Sequence, residues 1–173
     1  MFAMATTPAE LRFTEATPSD IPAISEFFWA MWNEAGPDAP GFSGATENVI
    51  AEIAQPDAIA VRIGGPDRRM FLAYKDESVV GFAATRSMDT ATIELAGIVV
   101  LQSMVGQGIG SPLVAISVTS AREQGFRRMI VSTEVDNQRA IDFYRGRGFA
   151  TTGESTTVVE DIEVSLVNLV LEL

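Results

Sequence analysis

The chain has 173 residues, 47% of them hydrophobic and 20% charged, a length and balance that suit one globular domain with a substantial core. It contains neither cysteine nor histidine, so disulfides, thiolate zinc sites and any Ser-His or Cys-His triad are excluded, and we expect no metal. With 23 acidic residues against 12 basic ones the net charge is −11, the wrong sign for a nucleic-acid partner. Such a surface would attract a cationic amine, or its charge simply keeps the chain in solution.

Residues 1–10 read as a flexible lead-in to a single domain over 11–173. The opening MFAMATTPAELRF has no basic start and no apolar core, and no apolar run is long enough to span a membrane, so the chain reads as cytoplasmic with no membrane partner. A first strand is expected over 12–16. Thr17-Pro18-Ser19-Asp20 then gives a turn and cap, and 21–32 carries apolar residues at helical spacing. The segment 33–41, rich in Gly, Pro and Asp, breaks that helix, and a second begins near Thr46 and runs to about Ala54. Strands follow over 58–63, 70–75 and 79–87, the last two joined by the tight turn Asp76-Glu77-Ser78, and then over 92–101. Beyond them come a helix over 110–124, a strand over 129–134, a helix over 138–147 and strands over 150–157 and 163–171. Hairpins in one part and helices between strands in another predict an α/β (α+β) fold. Its mixed, mostly antiparallel sheet has roughly seven strands, with helices on both faces.

The strand over 92–101 runs into Val99-Val-Leu-Gln-Ser-Met-Val-Gly-Gln-Gly-Ile-Gly-Ser111, a glycine-rich turn that opens a helix. Glycines 106, 108 and 110 let the backbone turn sharply and approach an anion, and the helix start adds unpaired N–H groups and the positive end of its dipole. A P-loop would end in Gly-Lys-Ser/Thr, but Gly110 is followed by Ser111-Pro112. A dinucleotide fingerprint needs G-x-G-x-x-G and an acid about 20 residues on, where this chain has G-x-G-x-G and Ile130. The plain alternative is an ordinary strand-to-helix turn. A second signature, Asn137-Gln-Arg-Ala-Ile-Asp-Phe-Tyr144-Arg-Gly-Arg-Gly148-Phe149, weighs against that alternative.

With both signatures the chain resembles the GNAT superfamily of N-acetyltransferases, which move an acetyl group from acetyl-CoA to an amine. The family's pyrophosphate loop reads Arg/Gln-x-x-Gly-x-Gly/Ala, against Val105-Gly106-Gln107-Gly108-Ile109-Gly110 here. Val105 departs from the pattern, but the loop binds mostly through backbone amides. The later pattern, Asn-x-x-Ala, then Tyr, then Gly-Phe, is met by Asn137, Ala140, Tyr144, Gly148 and Phe149.

The resemblance implies acetyl-CoA as co-substrate and direct attack by a primary amine of a small molecule or protein in a ternary complex. It implies CoA contacts along residues 105–111, ending on Ser111, and at Asn137. It also implies pairing of the pantetheine arm with the backbone of Ile98, Val99 and Val100, where one N–H holds the acetyl carbonyl. Tyr144 would lie near the CoA sulfur and protonate the leaving thiolate. Glu94 would deprotonate the amine, with Glu134 or Asp136 as stand-ins. The acceptor would be gripped by 29–42 and about 152–164, with Trp29, Trp32, Asn33, Glu34, Asp38 and Phe42 as candidate contacts.

The residues themselves add to this. Asn137 and Tyr144 fall about two helical turns apart, on nearly one face, although Asn137 also suits a helix cap. Glu94 shares its strand face with Ala96, Ile98 and Val100, and partial burial among them would make it a better base. Gly97 marks a bulge that opens the strand from its neighbour. Six of the 12 bases, Arg122, Arg127, Arg128, Arg139, Arg145 and Arg147, flank the loop. They suit the 3′-phosphate of CoA, or surface pairing with Glu123, Asp136 and Asp142. A CoA-binding regulatory or sensor module without turnover, at which Val105 hints, and a partner-binding domain with a purely structural glycine turn remain the alternatives. A homodimer stays open.

Overall fold

The computed structural model of the chain describes residues 10–35, 46–159 and 161–173. Its elements run β1 (Leu11–Glu15), α1 (Ile21–Ala35), α2 (Glu47–Ile53), α3 (Pro56–Gly64), β2 (Arg68–Lys75), β3 (Ser78–Ser87), β4 (Thr92–Val100), α4 (Gly110–Glu123), β5 (Arg128–Glu134), α5 (Gln138–Arg145), β6 (Ala150–Val159) and β7 (Ile162–Glu172). One seven-stranded sheet takes the order β1-β2-β3-β4-β5-β7-β6. The pair β4/β5 is parallel and every other neighbour pair is antiparallel. The mixed α/β architecture expected from the sequence is the one observed.

Local chemistry explains most of the boundaries. The amide of Thr17 donates to the Asp20 carboxylate at 2.7 Å before α1, and Thr46 Oγ1 accepts from the Val49 amide at 3.4 Å to start α2. Along α1 the positions Ile24, Phe27, Phe28 and Met31 are buried, the i, i+3, i+4, i+7 stripe of a helix on a sheet. The side chains of β3 show which helices lie on which face. Phe82 meets Phe27 and Phe28 edge-on at 5.6 and 5.8 Å, whereas a Cβ on the adjacent Gly81 would touch Ile109 and Leu113. Alternate residues of a strand face opposite ways, so α1 covers one face and α4 the other.

One expected element is different. Residues 58–63 form the body of α3 and not a strand. Pro56 stands in the first turn with Asp57 beside it, and the helix puts the fully buried Ile59 and the partly buried Ile63 on one side while Val61 is exposed. A short apolar run fits either period, and the helix start decided it.

The sheet has a built opening. β4 pairs with β3 along its length but with β5 only from Thr92 to Glu94, while β5 continues to pair with β7 as far as Glu134. Beyond Glu94 and Ile130 the two parallel strands therefore part. The register between β3 and β4 slips by one residue opposite Ala96, beside Gly97, where the bulge was expected. Among the described residues no helix is long and apolar enough to cross a membrane.

Candidate active site

The glycine loop leaves β4 at the open side of the sheet. Leu101 still donates to the Val80 carbonyl at 2.9 Å, a short turn follows, and Gly106 and Gly108 adopt φ of +84° and +77°. Side chains at those angles are strained, which is the physical need for glycine there. The buried Ile109 pins the end of the loop, and α4 begins at Gly110. Val105 and Gln107 use their amides within the turn, donating to Gln102 and Met104 at 3.3 Å. The N–H groups of Gly106, Gly108, Gly110 and Ser111 find no acceptor among the described residues. They form a row of donors at a helix N-terminus, suited to a phosphate chain.

The antiparallel pairing of β4 selects which strand groups join that row. Because Leu101 bonds toward β3, so does Val99, whereas the intervening Ile98 and Val100 turn their N–H and C=O groups to the opening. Of the three residues expected to pair with pantetheine, Ile98 and Val100 face the right way and Val99 is committed to the sheet.

α5 lies against the start of α4. A Cβ on Gly110 would stand 3.0 Å from the Phe143 ring, and the Arg147 guanidinium, 3.5 Å above that same ring, donates to the Phe143 carbonyl at 2.7 Å and to Ser111 Oγ. Of the six clustered arginines, Arg147 is thus the one tied directly to the loop. Arg128 is engaged by Thr92 and Arg145 by Thr151. No ion pair joins the six to Glu123, Asp136 or Asp142 among the described residues. Asn137 caps α5, its Oδ1 accepting from the Ala140 amide at 3.1 Å. Tyr144, only 5% exposed, packs edge-on against Phe143 and Phe149 at 5.3 and 5.5 Å. Burial pushes its phenol well above the ordinary tyrosine range, so it is protonated at neutral pH. Its hydroxyl has no hydrogen-bond partner among the described residues, yet Nε of Arg147 is the one side-chain polar atom among them both sealed from solvent and unpartnered. The Tyr144 hydroxyl, unlike that nitrogen, is not fully sealed from solvent.

Glu94 sits where β4 and β5 part, on the wall of a cavity of about 390 Å³ on the α1 face of the sheet. The neighbours expected along its strand face were apolar. Its carboxylate instead accepts from Arg86 Nη2 at 2.6 Å and Nε at 3.1 Å, and Arg62 and Arg68 line the same cavity above Phe28, Met70 and Phe82. Sequence reading missed these three arginines. They come from α3, β2 and β3, and the nearest thing to a signal is a cation, Arg86, on a strand whose other residues are mostly apolar.

The expected acceptor contacts lie elsewhere. Trp29 and Trp32 pack against the core, and Asn33 is exposed. Glu34 accepts from the Ser103 amide at 3.1 Å and its hydroxyl at 2.7 Å, tying α1 to the turn before the glycine loop. None of the four lines the cavity beside Glu94, and Asp38 and Phe42 lie outside the described residues. Asp136 is exposed in the turn after β5, which ends at Glu134. No cluster of three or more potential metal ligands occurs among the described residues.

Comparisons with known proteins agree with this geometry. A model described as the acetyltransferase (GNAT) family matches residues 21–149. A mycothiol acetyltransferase of Corynebacterium glutamicum (strain R) is 26% identical over 151 residues, which cover 85% of this chain and 49% of that protein. The chain thus spans about half the length of the curated relatives it matches. A ribosomal-protein-alanine N-acetyltransferase from Brucella melitensis shares the fold with a TM-score of 0.72 at 24% identity, over 94% of this chain and 99% of that one. A GNAT family acetyltransferase from Elizabethkingia anophelis, solved with acetyl-CoA bound, shares it with a TM-score of 0.61 at 17% identity, over 94% and 98%.

Proposed function

The chain belongs to the acetyltransferase (GNAT) family, and from that premise we propose that it transfers the acetyl group of acetyl-CoA to a primary amine held beside Glu94. The observation that carries the reading is the row formed by the N–H groups of Gly106, Gly108, Gly110 and Ser111, unpartnered among the described residues, at the mouth of the gap between β4 and β5. The pyrophosphate of CoA takes those donors, and the pantetheine arm lies along Ile98 and Val100 as an added strand would. One N–H of that edge stabilises the oxygen as the amine nitrogen attacks the thioester carbon. The new C–N bond forms as Glu94 accepts the proton of the amine. The C–S bond then breaks, and Tyr144 gives its phenolic proton to the departing thiolate.

A first test is a thermal shift with acetyl-CoA, CoA and NAD, since a ligand at 100 times its dissociation constant stabilises by about 2.7 kcal/mol. Both CoA species should shift the melting temperature and NAD should not. Turnover on an amine panel follows, with Tyr144→Phe expected to lower kcat by about 100-fold while leaving the ring contacts in place. Because burial raises the Tyr144 pKa, its acid form persists to alkaline pH, and wild-type kcat should show no loss from tyrosine ionisation up to about pH 10. A fall below that pH that Tyr144→Phe abolishes would contradict the raised pKa, and an unchanged kcat in Tyr144→Phe would remove Tyr144 from the mechanism. Tight CoA binding with no turnover on any amine would favour the regulatory module at which Val105 hints.

A further inference from the structure

The cavity beside Glu94 holds more positive charge than it neutralises. In a chain of net charge −11, three of the 12 bases converge on one space of about 390 Å³ from α3, β2 and β3. Arg86 is matched by Glu94 at 2.6 Å. Among the described residues Arg68 reaches no acid closer than Asp67, at 3.9 Å and largely exposed. Arg62 donates to the Ala58 carbonyl at 3.1 Å and has no carboxylate partner among the described residues. Burial, with the charge of Arg68 added, lowers its pKa. Two like-charged guanidiniums on one partly enclosed wall repel each other, and an oxyanion seated between them would reverse the sign. The floor they share with Phe28, Met70 and Phe82 is apolar.

The charges are also ordered. Glu94 stands on β4, at the edge of the gap where the thioester would lie, while Arg62 and Arg68 come from α3 and β2 on the far side of β3. Resting on the acetyl-transfer reading above, we propose that the acceptor is a small amine that also carries an oxyanion, with its nitrogen at Glu94 and its anionic group held by Arg62 and Arg68. An apolar stem between the two ends lies over Phe28, Met70 and Phe82. Both carboxylate and phosphate match the guanidinium fork, and the volume is that of a small-molecule site. The acceptor class is therefore zwitterionic, unlike the purely cationic amine that the acidic surface would favour.

The test uses matched acceptors with the full chain and acetyl-CoA, each anionic member having a stem between its two ends: 5-aminopentanoate against pentylamine, 6-aminohexanoate against hexylamine, and phosphoethanolamine against ethanolamine. At least one anionic member should exceed its partner by about tenfold or more in kcat/KM, and the pair that does so identifies carboxylate or phosphate. Arg62→Gln and Arg68→Gln should each shrink that ratio toward one, chiefly through KM, and Arg68→Lys should restore part of it. Ratios near one for all three pairs, or a ratio that survives both Gln variants, would overturn the proposal. The CoA-induced thermal shift, measured on every variant, reports the fold and the CoA site separately. If CoA binds and no amine is turned over, the catalytic reading fails by itself, and calorimetry on the CoA complex decides this one. Tighter binding of an anionic member that is lost in Arg62→Gln sustains it, and equal or absent binding of all members overturns it.

Discussion

The loop of residues 101–111 offers an anion backbone N–H groups, whereas the cavity over β3 and β4 offers it guanidiniums. In the loop the donors all fall between Gly106 and Ser111, and what fixes them is the left-handed backbone at Gly106 and Gly108. In the cavity each charge arrives from a different element, and what fixes it is the packing of α1, α2 and α3 on the sheet. The first site presents backbone donors, so its exposed side chains are expected to matter little, while the second is made of side chains and is specified by them. The contrast fits the two ligands proposed: one cofactor common to a family, and one acceptor particular to this chain.

The largest effect that distinguishes the two regions is expected at their junction. Glu94→Gln keeps the shape of the cavity wall but removes the proposed acceptor of the amine proton, and kcat should fall by about 10²- to 10⁴-fold. The acetyl-CoA dissociation constant, measured by calorimetry, should stay as it was, because the loop donors are untouched. The substitution also leaves Arg86 without its carboxylate, so a lowered melting temperature is expected alongside. Repeating the substitution with Arg86→Gln restores the charge balance. If activity returns in that double variant, Glu94 serves only to neutralise Arg86.

A smaller effect belongs to the loop alone. At Gly108 an added Cβ would meet nothing within 4 Å, so Gly108→Ala acts through φ of +77° and not through a clash. The left-handed conformation costs a side chain about 1–2 kcal/mol, and relaxing it turns the donors away from the phosphate. Acetyl-CoA should bind roughly tenfold more weakly, while Gln107→Ala changes affinity by less than about twofold. Equal losses in the two variants would mean that side chains, not backbone, make this site.

The same contrast governs what could be read from the residues in order. The α1 stripe of Ile24, Phe27, Phe28 and Met31, the cap at Thr46, the hairpin of β2 and β3 and the loop after β4 are all set by neighbours a few positions apart, and each was legible. Residues 58–63 were misread because Ile59 and Ile63 fit a buried strand as well as a helix, and Pro56 had more influence than the apolar run. Trp29 and Trp32 were acceptor contacts implied by the resemblance, and on α1 both pack partly buried against the core, while Glu34 is spent on Ser103. Arg62 and Arg68 had no local signature, and Arg86 had only its place as a cation on a mostly apolar strand. Their meeting depends on β2 and β3 lying beside β4 with α3 folded over them, which is a property of the sheet order.

The smallest effect tests whether the loop is as independent of side chains as this contrast implies. Gly110 has no positive φ, yet a Cβ there would stand 3.0 and 3.1 Å from two carbons of the Phe143 ring. That ring cannot swing freely, since Arg147 lies 3.5 Å over its face and Tyr144 packs against it at 5.3 Å. Gly110→Ala should therefore destabilise by about 1 kcal/mol, a fall of roughly 2–4 °C in melting temperature for a chain of this size. Phe143→Leu shortens the obstructing edge, so the double variant should lose less than the sum of the two singles. Strict additivity would show that the ring and the loop do not touch in solution. A positive coupling would mean that a single aromatic contact sets the start of α4 against α5, and with it the distance from the phosphate donors to the Tyr144 hydroxyl. The backbone site would then depend on one side chain for its alignment with the chemistry, though not for its donors.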